Sequence, residues 1–409
     1  MHGEGDDHHT MERRQETALV WTLAAVQFVN VLDFMMVMPM GPDFAKALDI
    51  PTSRLGDIGG SYTASAALAG FLGSFALDRF PRRAALVASM IGLAGGTALG
   101  GVASGFYSLL FARIVAGFFG GPATALSLSI VTDCVPVERR GRALSVVMGT
   151  FAIASIFGVP AGLELARTGG FRLPFFAVAG LALLVTLFAA IILRGLPNAP
   201  TRQTPRGSVL ALFANPNVLA TCALTVFVMM SAFILIPNIS TYVQHNLGYP
   251  RENLPRLYIY GGVASVGAMA LAGRLVDRWG SLGVTIFGCG LLAAVVYGGF
   301  GRIPPWFPTT WIFVLFMVAM SFRNLSANTL STRVPSPEER GRFMSLQSMV
   351  QHLAAAIGAF ASARWLSTGA NGRIEGMRSV AIATAVAQIA VVALVAWLER
   401  RVSKKSPNA

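Results

Sequence analysis

Apolar residues run through this chain in stretches of about 20, separated by short polar segments rich in arginine, proline and glycine. About 20 consecutive apolar residues is the length at which an α-helix crosses the hydrocarbon core of a bilayer. The runs are continuous and do not alternate every second residue, so they do not read as strands of a membrane barrel. Within lipid, helices and closed barrels are the structures that satisfy their own backbone polar groups. Six runs fall in the first half of the chain, at 18–40, 58–77, 84–103, 106–131, 143–166 and 173–193. Six more follow at 218–242, 257–276, 282–300, 311–330, 343–365 and 380–397. The predicted fold is therefore all-α and polytopic, with 12 transmembrane helices in two pseudo-symmetric six-helix bundles. Residues 1–17 read as a tail, 18–195 as the first bundle, 196–216 as a linker, 217–399 as the second bundle and 400–409 as a second tail. The linker is rich in proline and carries Arg202 and Arg206.

Composition strengthens this picture. Of 409 residues, 54% are hydrophobic and 12% charged, where soluble domains carry about a quarter charged residues. The net charge of +13 points to the membrane and not to nucleic acid. Lys and Arg sit in the segments between runs, about two to one in favour of the side that holds both tails, which predicts cytoplasmic termini. A cleavable leader is not expected, since the first run is already long enough to span. Cys134, Cys222 and Cys289 lie far apart and read as small apolar helix residues. His2, His8 and His9 read as part of a disordered tail, with a metal-binding alternative left open. The chain holds no GxxxxGK[ST] phosphate loop, HExxH or GxSxG. ATP hydrolysis, enzyme chemistry, resident metal and cofactor are therefore not expected.

The halves repeat. Arg140-Gly141-Arg142 recurs as Arg340-Gly341-Arg342 at an offset of 200, each after a Val-Pro pair, and Asp78-Arg79 recurs as Asp277-Arg278 at an offset of 199. Parallel six-helix repeats place a shared cavity between them near the bilayer midplane. Around these repeats the chain resembles the major facilitator superfamily. Gly73 through Asp78-Arg79 to Arg82-Arg83 is similar to its loop between the second and third helices, with Pro81 where glycine is usual. Arg113 to Gly117 resembles its fourth-helix arginine motif. Gly158-Val159-Pro160-Ala161-Gly162 resembles the fifth-helix motif of exporters, and Leu32-Asp33 with Pro42 the first-helix motif of drug–proton antiporters. The resemblance covers the whole chain and implies a twelve-span drug or sugar efflux permease of the bacterial inner membrane, working as a monomer on a small-molecule substrate.

Asp33 is the acid that lies well inside an apolar run. Burial penalises a charged carboxylate, so this position is suited to exchanging a proton as its surroundings change; the proton is the expected coupling ion. Arg113 is its expected partner, since each lies about 7 residues from the outer end of its span, roughly 10 Å deep. Gly73, Asp78, Arg79, Arg142, Asp277 and Arg278 are expected to serve a conformational switch at the cytoplasmic face. Gly149, Gly158, Pro160 and Gly162 are expected to set packing and bending of the fifth helix. Candidate cavity residues are Gln27, Asn30, Tyr62, Asn238, Arg323, Asn324, Asn328, Gln347, Gln351 and His352; for each, substrate contact and interhelical packing stay open. Arg323 admits an anionic or zwitterionic substrate, and His352 a second proton site. Asp57 and Glu164, near outer helix ends, read as surface charges. The expected function is a proton-driven antiporter, with an uptake symporter or facilitator and a non-transporting receptor as alternatives.

Overall fold

The computed structural model describes residues 13–76, 80–195, 212, 214–302, 305–336 and 339–405. Residues 1–12 and 406–409 of the predicted tails, most of the predicted linker, and Asp78 and Arg79 lie outside the described residues, while 13–17 and 400–405 extend the first and last helices. The helices are α1 Arg13–Val37, α2 Gly41–Ala47, α3 Leu55–Ala76, α4 Arg82–Gly101, α5 Phe106–Cys134, α6 Val137–Ile153, α7 Val159–Gly169 and α8 Arg172–Ile192. The second half holds α9 Pro216–Phe233, α10 Ile236–Thr241, α11 Leu254–Phe300, α12 Thr309–Ser331, α13 Arg340–Trp365 and α14 Met377–Lys405.

Among the described residues, nine helical stretches are long and apolar enough to cross a membrane. Two of them are joined pairs. A π turn at Ala154–Gly158 fuses α6 to α7, and another at Tyr242–Asn246 extends α10. The first π turn has a local cause: Pro160 stands two residues beyond it. Proline has no N–H to donate and crowds the carbonyl four residues back, and a wider turn relieves both. Helices α3 and α13 fall outside the nine. Each is rich in small and polar residues, and the two pack on one another: Gly56 and Gly60 of α3 face Ala359, Ser362, Ala356 and Phe360 of α13. Small residues let helices approach closely where apolar side chains would hold them apart.

The predicted runs 257–276 and 282–300 form two helical stretches within Leu254–Phe300, together labelled α11, divided at Gly280 with φ 74° and ψ 172°. Positive φ is open to glycine at little cost. Just past the break, both Glu399 carboxylate oxygens accept from backbone N–H groups, Ser281 at 2.8 Å and Leu282 at 3.1 Å. A helix N-terminus favours an anion in this position. The break therefore lies at the same end of the molecule as the close of α14, and so does the start of α1. There Glu16 of α1 pairs with Arg139 of α6 at 3.0 Å.

Contacts between the two halves gather at the opposite, far end. The Arg251 guanidinium donates to both Asp43 oxygens at 2.9 and 2.7 Å and to the Leu163 carbonyl at 3.0 Å. Arg364 reaches Asp57 at 3.4 Å. A small hairpin, β1 Ser367–Thr368 against β2 Ile374–Glu375, joins α13 to α14. It touches Thr52 and Ser53 of the first half through Thr368 and is tied to Asn246 by two bonds of 2.9 Å. Asp57 is thus a link between halves and not the plain surface charge expected. The three cysteines are free.

Candidate functional site

The site begins with close helix approach. At Gly96 of α4 an added Cβ would lie 2.5 Å from the Ala116 nitrogen of α5. At Gly117 of α5 it would run into the Tyr62 carbonyl and Ser65 hydroxyl of α3. These glycines draw α3, α4 and α5 together around the inward face of α1, where Asp33 stands. Arg113 NH1 donates to both Asp33 carboxylate oxygens at 3.1 Å, and NH2 to the Asp33 backbone carbonyl at 3.3 Å. The Thr97 hydroxyl donates to Asp33 Oδ1 at 2.7 Å. Side-chain exposure is 0% for Asp33 and 1% for Arg113, so this is a fully buried ion pair. The guanidinium lies 4.5 Å from the Tyr62 ring centroid, a cation–π contact that gains strength away from water. Tyr62 donates its hydroxyl to Asn30 Oδ1 at 3.1 Å, and Asn30 donates to the Gly120 carbonyl at 2.8 Å and to Thr124. Arg113 Nε has no hydrogen-bond partner.

This network touches the seam between the halves through Phe34, one residue from Asp33. Its ring lies 5.2 Å from that of Tyr62 and 6.0 Å from that of Phe233 in α9. A change in the charge of the Asp33–Arg113 pair therefore has a short path to the second half.

A second buried cation occupies the other half. Arg323 of α12 is 0% exposed. Its NH1 donates to Ser231 Oγ at 2.9 Å and Gln388 Oε1 at 3.2 Å, and its NH2 to the Val228 carbonyl at 3.1 Å. Asn324 Oδ1 accepts from Nε at 3.3 Å and NH2 at 3.1 Å.

Several candidate cavity residues are bonded to neighbouring helices. Asn30 and Tyr62 are buried and bonded to each other, and Asn238 is buried and donates to Ser362 across the α10–α13 contact at 3.0 Å. Gln347 donates to Thr225. Asn328 and Gln351 are exposed; Gln27, Asn324 and His352 are half-buried. Gln27 Oε1, Gln347 Oε1 and Asn238 Oδ1 have no donor. In the fifth-helix set, a Cβ at Gly158 would press on Leu32 at 2.7 Å and one at Gly162 would touch Met36 at 3.5 Å. Gly149 departs from expectation: it is exposed, with nothing within 4 Å of an added Cβ, because it turns away from neighbouring helices. Of the switch residues, Gly73 is half-buried in α3, and Arg142, Asp277 and Arg278 are exposed. Asp78 and Arg79 lie outside the described residues. Thr97, Ser231, Gln388, Phe34, Asp43 and Arg251 were not singled out by the sequence. For all but Phe34 the one advance sign was a polar residue within or beside an apolar run, a sign shared with many residues that bond only their own helix.

A sequence profile of the Major Facilitator Superfamily matches residues 23–359. Among curated proteins, the chain is 26% identical over 259 residues to a chloramphenicol resistance protein of Streptomyces lividans, covering 62% of this chain and 65% of that relative's length. Among solved structures it is similar to a bacterial homolog of the human lysosomal transporter Spinster in an inward-facing, unoccupied conformation, with TM-score 0.79, 18% identity and coverage of 97% and 100%. It is also similar to a D-xylose–proton symporter, with TM-score 0.68, 18% identity and coverage of 94% and 96%.

Proposed function

The chain belongs to the Major Facilitator Superfamily, and on that premise we propose that it is a proton-coupled antiporter exporting a small amphipathic molecule or metabolite by alternating access. It is an integral membrane transporter and not an enzyme. The observation that carries the proposal is the wholly buried Asp33 carboxylate, held by Arg113 at 3.1 Å and by Thr97 at 2.7 Å. Arginine keeps its proton in proteins, so exchange falls to Asp33. Protonating that carboxylate removes the counter-charge of Arg113 and loosens the tie between α1 and α5. Phe34 carries the resulting shift of α1 toward Phe233. The two halves then rock about the central site, and the far-end contacts part.

The same reading places both termini in the cytoplasm of a bacterial inner membrane, with the protein a monomer. Dividing α11 at Gly280 and counting α3 and α13 with the nine apolar stretches makes twelve crossings. The same reading divides the chain into bundles at 18–195 and 217–399. The contacts between halves at the far end support reading this as a state closed on that side, in keeping with its likeness to an inward-facing carrier.

Export is supported by the chloramphenicol resistance relative; uptake by proton symport is the rival, since a sugar–proton symporter shares the fold. The test is reconstitution in liposomes with an internal pH dye, an imposed pH gradient, and chloramphenicol as the first compound of a screen. Compound-dependent collapse of the gradient with wild type, absent in Asp33→Asn, is the expected result. Movement of compound by both proteins without protons sinks the coupling role of Asp33. Accumulation of compound along the direction of proton entry replaces antiport by symport.

A further inference from the structure

The two buried arginines are unequally compensated. Arg113 has the Asp33 carboxylate; Arg323 has only neutral acceptors, namely Ser231, Gln388, Asn324, the Val228 carbonyl and the Met320 sulfur. Among the described residues, no carboxylate stands within ion-pair distance of Arg323. Neutral acceptors satisfy N–H groups but leave the charge uncancelled, and buried charges are normally paired. The repeat accounts for the difference. Arg113 NH1 donates to Asp33 of α1, and Arg323 NH1 donates to Ser231 of α9. The first helix of the second half thus supplies a hydroxyl where the first helix of the first half supplies an acid.

We infer that Arg323 sets the charge preference of the carrier: the substrate is a small organic anion whose carboxylate supplies the counter-charge missing from the second half. The side of approach is marked by Asn324 and Met320. Both are half-buried, and both hold the arginine by single acceptor atoms, Asn324 Oδ1 and Met320 Sδ. An entering carboxylate replaces these two acceptors with two charge-assisted bonds, the fork geometry that guanidinium groups favour. The Ser231, Gln388 and Val228 acceptors hold the other side of the arginine in place.

The inference rests on the carrier reading, and its test is binding without flux. Chloramphenicol and its hemisuccinate are a matched neutral and carboxylate pair. Their affinities for the full chain purified in detergent are measured by isothermal titration calorimetry at neutral pH. Wild type is expected to bind the hemisuccinate about tenfold more tightly, the order expected of one charge-assisted contact. Arg323→Gln is expected to erase that preference. Ser231→Asp, which keeps the arginine and gives it an internal partner, is expected to erase it too. No carboxylate preference in wild type, including failure to bind either compound, overturns the inference. So does a preference that survives Ser231→Asp or Arg323→Gln. These outcomes are distinct from the flux test of Asp33, which can fail while the carboxylate preference stands.

Discussion

Asp33 and Arg113 each have a buried charge that nothing but the other offsets, and this makes their energetics strongly interdependent. Removing one partner of a buried pair strands the other, at a cost of about 3–5 kcal/mol, while replacing both with apolar groups of similar size is often milder. Arg113→Met alone is therefore expected to lower the thermal unfolding midpoint in detergent more than the double variant Asp33→Leu with Arg113→Met. Equal midpoints for single and double variants would show that the pair is not coupled. Thr97→Val keeps the shape and removes one hydrogen bond to a charged group, so about 1.5–3 kcal/mol of destabilisation is expected in the same measurement. These two predictions also mark how far the site could be read from sequence. Charged residues inside apolar runs stand out because they are expensive there, so Asp33, Arg113 and Arg323 were visible. Thr97 and Ser231 were not, because hydroxyl residues are common along these helices. Ser127, Thr186 and Ser331, for example, each bond a carbonyl four residues back and do nothing further that shows. Only the packed structure separates a hydroxyl that serves its own helix from one that serves a buried charge.

At the scale of helices, the site depends on where glycine replaces a side chain. The chain has 43 glycines, and sequence does not say which of them face a neighbour. Gly117 does. A Cβ there meets the Tyr62 backbone carbonyl, which has no rotamer to change, so Gly117→Ala is expected to push α3 from α5 and destabilise by about 1–3 kcal/mol. Gly149, expected beforehand to pack, faces open space. Gly149→Ala is expected to be neutral or stabilising, because alanine is favoured over glycine in a helix interior by about 1 kcal/mol. Parallel melting curves of the two variants check both; equal losses would remove the close-approach account of the site. The same limit applies to α11. Two spans were legible from two apolar runs, but the sharp break between them at Gly280 depends on backbone angles that hydropathy does not report. Helices α3 and α13 show the converse. The small residues at which they meet, Gly56 and Gly60 against Ala356 and Ala359, lower their apolarity, and that contact is a fact of tertiary packing.

For the whole molecule, the far end is a seam that alternating access must open in every cycle. Its ion pairs are individually modest: Asp43 and Arg251 are each 21% exposed, and pairs near solvent contribute about 0.2–1 kcal/mol. Such values suit a seam that has to part, because a contact worth 1 kcal/mol shifts a two-state balance only about fivefold. The hairpin adds a point where the seam can be locked. Thr52 Oγ1 and Thr368 Oγ1 lie 3.2 Å apart on opposite halves, close enough for sulfur atoms in their place to bond. In a background with Cys134, Cys222 and Cys289 replaced by Ala, the pair Thr52→Cys and Thr368→Cys is expected to form a disulfide under mild oxidation. Flux in liposomes should then stop, and a thiol reductant should restore it. Binding of substrate from the side of the termini should persist in the oxidised protein, because the lock closes the far end alone. Substrate that binds yet does not cross isolates the opening of this seam as the arrested step. If the cross-linked carrier transports at the rate of the reduced one, the halves do not part at this end, and the rocking motion proposed for the cycle is wrong.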